Sequence, residues 1–79
     1  MENNMHDALY GNDNLYHTFE RDNRQAKVLM DSNGFYVEFY QRDVSHFDKF
    51  LLVERRDLYK HSESYAESAA ENWVDGVIR

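Results

Sequence analysis

Gln25-Ala26-Lys27-Val28-Leu29-Met30-Asp31-Ser32-Asn33-Gly34-Phe35-Tyr36-Val37-Glu38-Phe39-Tyr40-Gln41-Arg42 is the stretch that decides the fold. Two runs that alternate in polarity flank Ser32-Asn33-Gly34. Asn-Gly favours a two-residue type I′ turn, whose twist matches that of paired strands and whose two central positions need positive φ. The stretch therefore predicts a hairpin over 25–42. A turn centred on Asn33-Gly34 sets Ser32 opposite Phe35, Met30 opposite Val37 and Val28 opposite Phe39. Ala26, Val28, Met30, Phe35, Val37 and Phe39 then share one almost wholly apolar face. Lys27, Leu29, Asp31, Tyr36, Glu38 and Tyr40 share the other, which is mixed. A slip of one residue would scramble this division, so turn and pattern agree.

Two strands alone are marginal in water. Downstream, Phe50-Leu51-Leu52-Val53 is the longest apolar run and suits a buried strand, which predicts a third antiparallel strand near 49–56. A helix starting at Ser45 is the competing reading, because periodicity separates the two poorly in so short a run. The last segment has a clearer pattern. Ser64-Tyr65-Ala66-Glu67 fits a capping box, with Ser62 as a cap one turn earlier. Ala66, Ala69, Ala70, Trp73, Val74 and Val77 form a stripe at three/four spacing, which predicts a helix near 63–78. Gly76 is expected to weaken its last turn.

Upstream, residues 1–13 read as a polar tail, and 14–79 as a single domain. Leu15, Tyr16 and Phe19 fit a short helix or irregular segment, while Tyr16-His17-Thr18-Phe19 fits extended chain equally well. The expected fold class is α+β: a small antiparallel sheet packed against a C-terminal helix.

Seventy-nine residues bound what this domain can do. A chain of this length buries only about 60% of its unfolded surface, so its core is thin. With no cysteine, neither a disulfide nor a thiolate metal site can staple it. Aromatic residues, 15% of the chain, must supply much of the buried area. Nothing near the N-terminus reads as an export signal, and no apolar run approaches the ~20 residues of a membrane span. A cytoplasmic location is expected, with no membrane partner.

The net charge of −6 sits at the two ends. Residues 1–24 hold five acids against two arginines, residues 25–60 balance, and residues 61–79 hold four acids against Arg79. This sign repels phosphate backbones, so nucleic-acid binding is not expected despite the local cluster Arg55, Arg56 and Lys60. His6, His17, His46 and His61 have no metal-ligand spacing, and Gly11, Gly34 and Gly76 form no phosphate loop. Glu38 is the one carboxylate of interest, mid-strand between two tyrosines. Covered, its pKa would rise by desolvation; open to water, it pairs with Lys27 or an arginine. No catalytic, cofactor or metal residue is assigned, and no enzyme activity is expected.

Two surfaces are left for partners. The first is the outer hairpin face with Leu29, Tyr36 and Tyr40, because tyrosine gives rigid contact area with a polar tip. The alternative is a second layer, such as residues 9–19, lying over this face. The second surface is the row Glu63, Glu67, Glu71 and Asp75, whose spacing of about 6 Å approaches that of phosphates on a nucleic-acid strand. Its plain alternative is a solvated helix face.

Gly34–Tyr40 (GFYVEFY) followed by Tyr65–Val74 (YAESAAENWV) resembles small uncharacterised proteins encoded by marine cyanobacterial phages, over roughly residues 26–78. The resemblance implies provenance and carries over no functional residue. It also implies that the location is the host cytoplasm. The expected function is a small acidic protein-binding module, a phage accessory protein that modulates a host protein such as RNA polymerase or a nuclease. The alternative is a minor structural or self-assembling phage protein, a homodimer paired through an exposed edge strand.

Overall fold

A computed structural model describes residues 13–45 and 48–77. In it Met30 lies opposite Phe35, Val28 opposite Val37 and Ala26 opposite Phe39. The hairpin forms as predicted, but its register is moved by two residues, with Asp31 rather than Ser32 closing the turn opposite Gly34. A shift of two preserves every side chain's face, so the division into apolar and mixed faces stands. The turn differs for two physical reasons. The Asp31 carboxylate accepts a hydrogen bond from the Asn33 N–H at 2.7 Å, which builds the bend at Ser32-Asn33, and neither of those residues takes a positive φ. Gly34 starts the next strand at φ 136°, and a Cβ there would sit 2.9 Å from the Tyr59 carbonyl oxygen. Glycine is needed at the crossing of two chains, not inside the turn.

Four strands follow one another as a meander: β1 (Asn14–Arg21), β2 (Arg24–Asp31), β3 (Gly34–Asp43) and β4 (Lys49–Leu58). The helix α1 (Glu63–Val74) closes the fold. Every strand pair is antiparallel, and spatial order equals chain order, which among the described residues leaves β1 and β4 as the two edges. The expected α+β class and the expected strand at 49–56 are both present. Residues 14–19, open between helix and extended chain, are extended. Only Phe19 of β1 packs against the core, too little apolar surface to sustain a helix but enough to hold an edge strand. The chain turns from β1 to β2 at Asp22, which takes φ 54°.

α1 lies across β1, β2 and β3 on the apolar face. Ala26, Val28, Val37, Phe39 and Leu58 meet Ala66, Ala70 and Val74 there, with Phe19, Phe35, Ala69 and Trp73 packed around them. The small alanines let the helix approach the sheet closely, while Trp73 meets the Phe39 ring at 4.9 Å. Arg24 lies 4.7 Å over the Trp73 indole and donates to the Trp73 carbonyl at 2.7 Å. That places a cation at the helix C-terminus, where the helix itself has none.

The helix starts from the earlier of the two expected caps, and its other end corrects the expectation. Ser62 is the N-cap and accepts from the Tyr65 N–H at 3.2 Å, while Ser64 is already inside the first turn. The chain leaves β4 through a turn closed by the His61 N–H on the Leu58 carbonyl, so the earlier serine reaches capping position first. At the other end, Gly76 stops the helix rather than weakening it. With φ 85°, it lets the Gly76 N–H bond the Trp73 carbonyl and the Val77 N–H bond the Asn72 carbonyl, a Schellman ending. The helix ends at Val74, and Val77 lies past the buried stripe. The tail expected over 1–13, except Asp13, lies outside the described residues, as do His6, His46 and the last two residues.

Candidate interaction surfaces

The mixed face of the hairpin is the first expected surface. β2 and β3 place Lys27, Leu29, Asp31, Tyr36, Glu38 and Tyr40 on it together, and β4 adds Asp57 and Arg55 opposite Tyr36 and Glu38. Of residues 9–19, weighed as a second layer for this face, 14–19 lie in the sheet as β1, Asp13 reaches Tyr36, and 9–12 lie outside the described residues. Among the described residues no element covers it. Its centre is nonetheless closed. Tyr36 is only 2% exposed, and the Arg55 guanidinium lies 3.8 Å over its ring. The Tyr36 hydroxyl donates to the Asp13 carboxylate. Burial, then that hydrogen bond, push the Tyr36 hydroxyl well above the ordinary tyrosine range.

Tyr40 is half-buried and donates to Glu38 at 2.7 Å, with the Lys27 ammonium 5.0 Å over its ring. Burial and the Glu38 carboxylate push its hydroxyl up to about 12. Glu38 itself lies opposite Lys27 on one side and Arg55 on the other, the surroundings of an outward carboxylate among cations.

The hub of this face is Arg55, which the sequence placed only in a basic cluster. Its guanidinium reaches Asp57 at 2.8 Å, the Tyr59 hydroxyl at 2.8 Å and Asp31 at 3.3 Å, and Tyr59 donates to Asp31 at 2.9 Å. Burial alone would raise the Asp31 carboxyl. Hydrogen bonds from Asn33, Tyr59 and Gly34, with the Arg55 charge, instead hold it below its ordinary value. Arg56 points to the opposite face, opposite Val37, where it pairs with Glu54 at 3.1 Å and lies 5.0 Å over Phe39. Two adjacent arginines on a strand face apart, so the cluster is split between the two faces of the sheet.

The acidic row is the second expected surface. Asp75 pairs with Arg21 at 2.7 Å, and Glu67 lies 3.7 Å from His17. Hydrogen bonding to Glu67, then burial, raise the Glu63 carboxyl. Two of the four acids thus face β1 rather than solvent, and Glu71 is left exposed. The row serves in part to hold the helix on the sheet.

The surface that sequence reasoning missed is on β4. Phe50-Leu51-Leu52-Val53, read as a buried strand, occupies the sheet edge, with Leu51 48%, Leu52 53% and Val53 56% exposed. Leu51 lies opposite Gln41 and so takes the helix side, whereas Leu52 lies opposite Tyr40 on the outer side. Phe50 lies opposite Arg42, whose guanidinium rests 4.6 Å over its ring. Val53 has no partner on β3: Glu54 pairs with Phe39 and Leu52 with Tyr40, so Val53 is the extra residue of a bulge. Where β4 runs beyond α1, a groove of about 230 Å³ opens between Arg56, Leu58, Tyr65, Ala69, Trp73 and Val77. It is smaller than the roughly 300–1,000 Å³ usual for small-molecule sites.

Among the described residues, no helix is long and apolar enough to cross a membrane, and no group of three or more His, Asp or Glu is placed to hold a metal ion. The described residues form a small α+β fold, a four-stranded antiparallel meander with one helix on one face. No family model, no curated protein and no solved structure matches the chain.

Proposed function

We propose that this chain is a non-catalytic protein-binding module that docks a partner along β4. One observation carries the reading: an apolar run lies at a sheet edge with side chains on both faces exposed. A strand apolar on both faces normally lies inside a sheet, and an edge strand normally carries charges that deter pairing. Between Lys49 at its start and Glu54, β4 carries no charge. An added strand would satisfy its free backbone groups and cover Leu51, Leu52 and Val53 together. The acidic balance of the chain favours protein over nucleic acid as the partner. A phage accessory role toward a host protein draws on the resemblance of GFYVEFY and YAESAAENWV. The outer tyrosine face is the weaker docking candidate, since Tyr36 is already enclosed by Arg55 and Asp13.

The test compares complex formation by the native chain, Leu52→Arg and Tyr40→Ala, each checked for native circular dichroism. Loss of the complex with Leu52→Arg and its retention with Tyr40→Ala is the expected result. The reverse pattern would move the docking surface to the tyrosine face.

A further inference from the structure

We infer that the strand added to β4 is the β4 of a second copy of this chain, paired antiparallel about a two-fold axis at Leu51; this rests on the reading of β4 as the docking strand. The argument is one of register. A two-fold axis perpendicular to the sheet keeps each face on its own side, so residues opposed across the new seam must share a face. The β3 partners give the step and face of each β4 residue: Lys49 lies opposite Asp43, Phe50 opposite Arg42, Leu51 opposite Gln41, Leu52 opposite Tyr40, Glu54 opposite Phe39 and Arg55 opposite Glu38. Val53 occupies no step.

Rotation about Leu51 sets Leu51 against its own copy on the helix side. Leu52 then meets Phe50 of the second copy on the outer side, and Glu54 meets Lys49 of the second copy on the helix side. Each of the last two pairs occurs twice. Apolar meets apolar and acid meets base, and the bulge is what makes the faces agree. Were Val53 a regular step of the strand, Glu54 would fall on the outer side, away from Lys49 on the helix side. The neighbouring registers fail. An axis at Leu52 opposes Leu51 to Glu54 and Lys49 to Arg56; an axis at Phe50 opposes Leu51 to Lys49; an axis at Glu54 opposes that acid to itself. Like charges directly opposed, or apolar side chains opposed to charged ones, disfavour each of these.

The product is an eight-stranded sheet with both helices on one side. Because α1 rests mainly on β1, β2 and β3, the seam runs between the two helices. The other edge offers no such match, since β1 carries His17, Thr18, Glu20 and Arg21 along most of its length.

Sedimentation of the full chain from micromolar to near-millimolar concentration tests this, with Lys49→Glu, Glu54→Lys and the double exchange, each checked for native circular dichroism. The expected result is a monomer–dimer equilibrium. Each single exchange weakens it about tenfold, as two like-charged pairs replace two ion pairs, and the double exchange restores most of the affinity. A monomer at every concentration overturns the inference, and so does a dimer that the double exchange fails to rescue. If the chain stays monomeric while Leu52→Arg abolishes a complex with another protein, the second copy is excluded and the docking strand stands. If Leu52→Arg also changes nothing, both fall.

Discussion

The Arg55 guanidinium lies 3.8 Å over the Tyr36 ring, at the centre of a face that no helix covers among the described residues. Replacing Arg55 by methionine keeps the length of the stem but removes the stacking and the bonds to Asp31, Asp57 and Tyr59. Stability should fall by about 1 kcal/mol, the scale of a cation–π contact at a partly exposed site. Urea unfolding measures it; an unchanged midpoint would show that Tyr36 is held by its neighbours on β2 and β3 alone.

Gly34 and Gly76 both take positive φ but should respond differently to alanine. At Gly34 the new Cβ would meet the Tyr59 carbonyl at 2.9 Å, whereas at Gly76 nothing lies within 4 Å. Gly34→Ala should cost about 2–3 kcal/mol, strain and collision together, and Gly76→Ala about 1 kcal/mol for the left-handed backbone alone. Thermal unfolding of the two variants gives the order, and equal losses would contradict the close crossing of β3 over Tyr59.

Ser62→Ala should destabilise the fold by about 1 kcal/mol, and Ser64→Ala by clearly less, because only the Ser62 hydroxyl accepts from the helix backbone at Tyr65. Denaturant unfolding of both variants separates them. A larger loss at Ser64 would return the helix start to the capping box.

The tyrosines make stability fall at alkaline pH. Tyr40 titrates near 12 in the folded chain, against about 10 unfolded, so folding favours its protonated form. Its contribution is complete below pH ~10 and is lost as pH rises toward the folded value. Tyrosinate absorbance should show a late step that Tyr40→Phe reduces. A native chain whose tyrosines all ionise together near pH 10 would argue against the Glu38 and Asp13 hydrogen bonds.

What could be read in advance was local. Alternation in 25–42 gives the two faces of the hairpin, and the alanine stripe with Trp73 gives the helix and its buried side. The details that escaped depend on contacts distant in sequence or on competition between neighbours. Asp31 captures the Asn33 N–H and moves the turn; Tyr59 crosses Gly34 and explains the glycine. The position of β4 was hidden for a different reason. An apolar run reads as buried whatever its place in the sheet, and only the strand order reveals that Leu51, Leu52 and Val53 border open solvent. Arg55 and Arg56 looked like one basic cluster because adjacency in sequence conceals the alternation of a strand.

The self-pairing of β4 is tested most directly by a single cysteine at Leu51, in a chain that has no cysteine of its own. Antiparallel partners directly opposed have Cα atoms about 4.5–5.5 Å apart, within the span of a disulfide. Under mild oxidation Leu51→Cys should give a covalent dimer rapidly and nearly completely, while Leu15→Cys, as exposed but on β1, should not. Equal, slow cross-linking of the two variants would contradict pairing about Leu51.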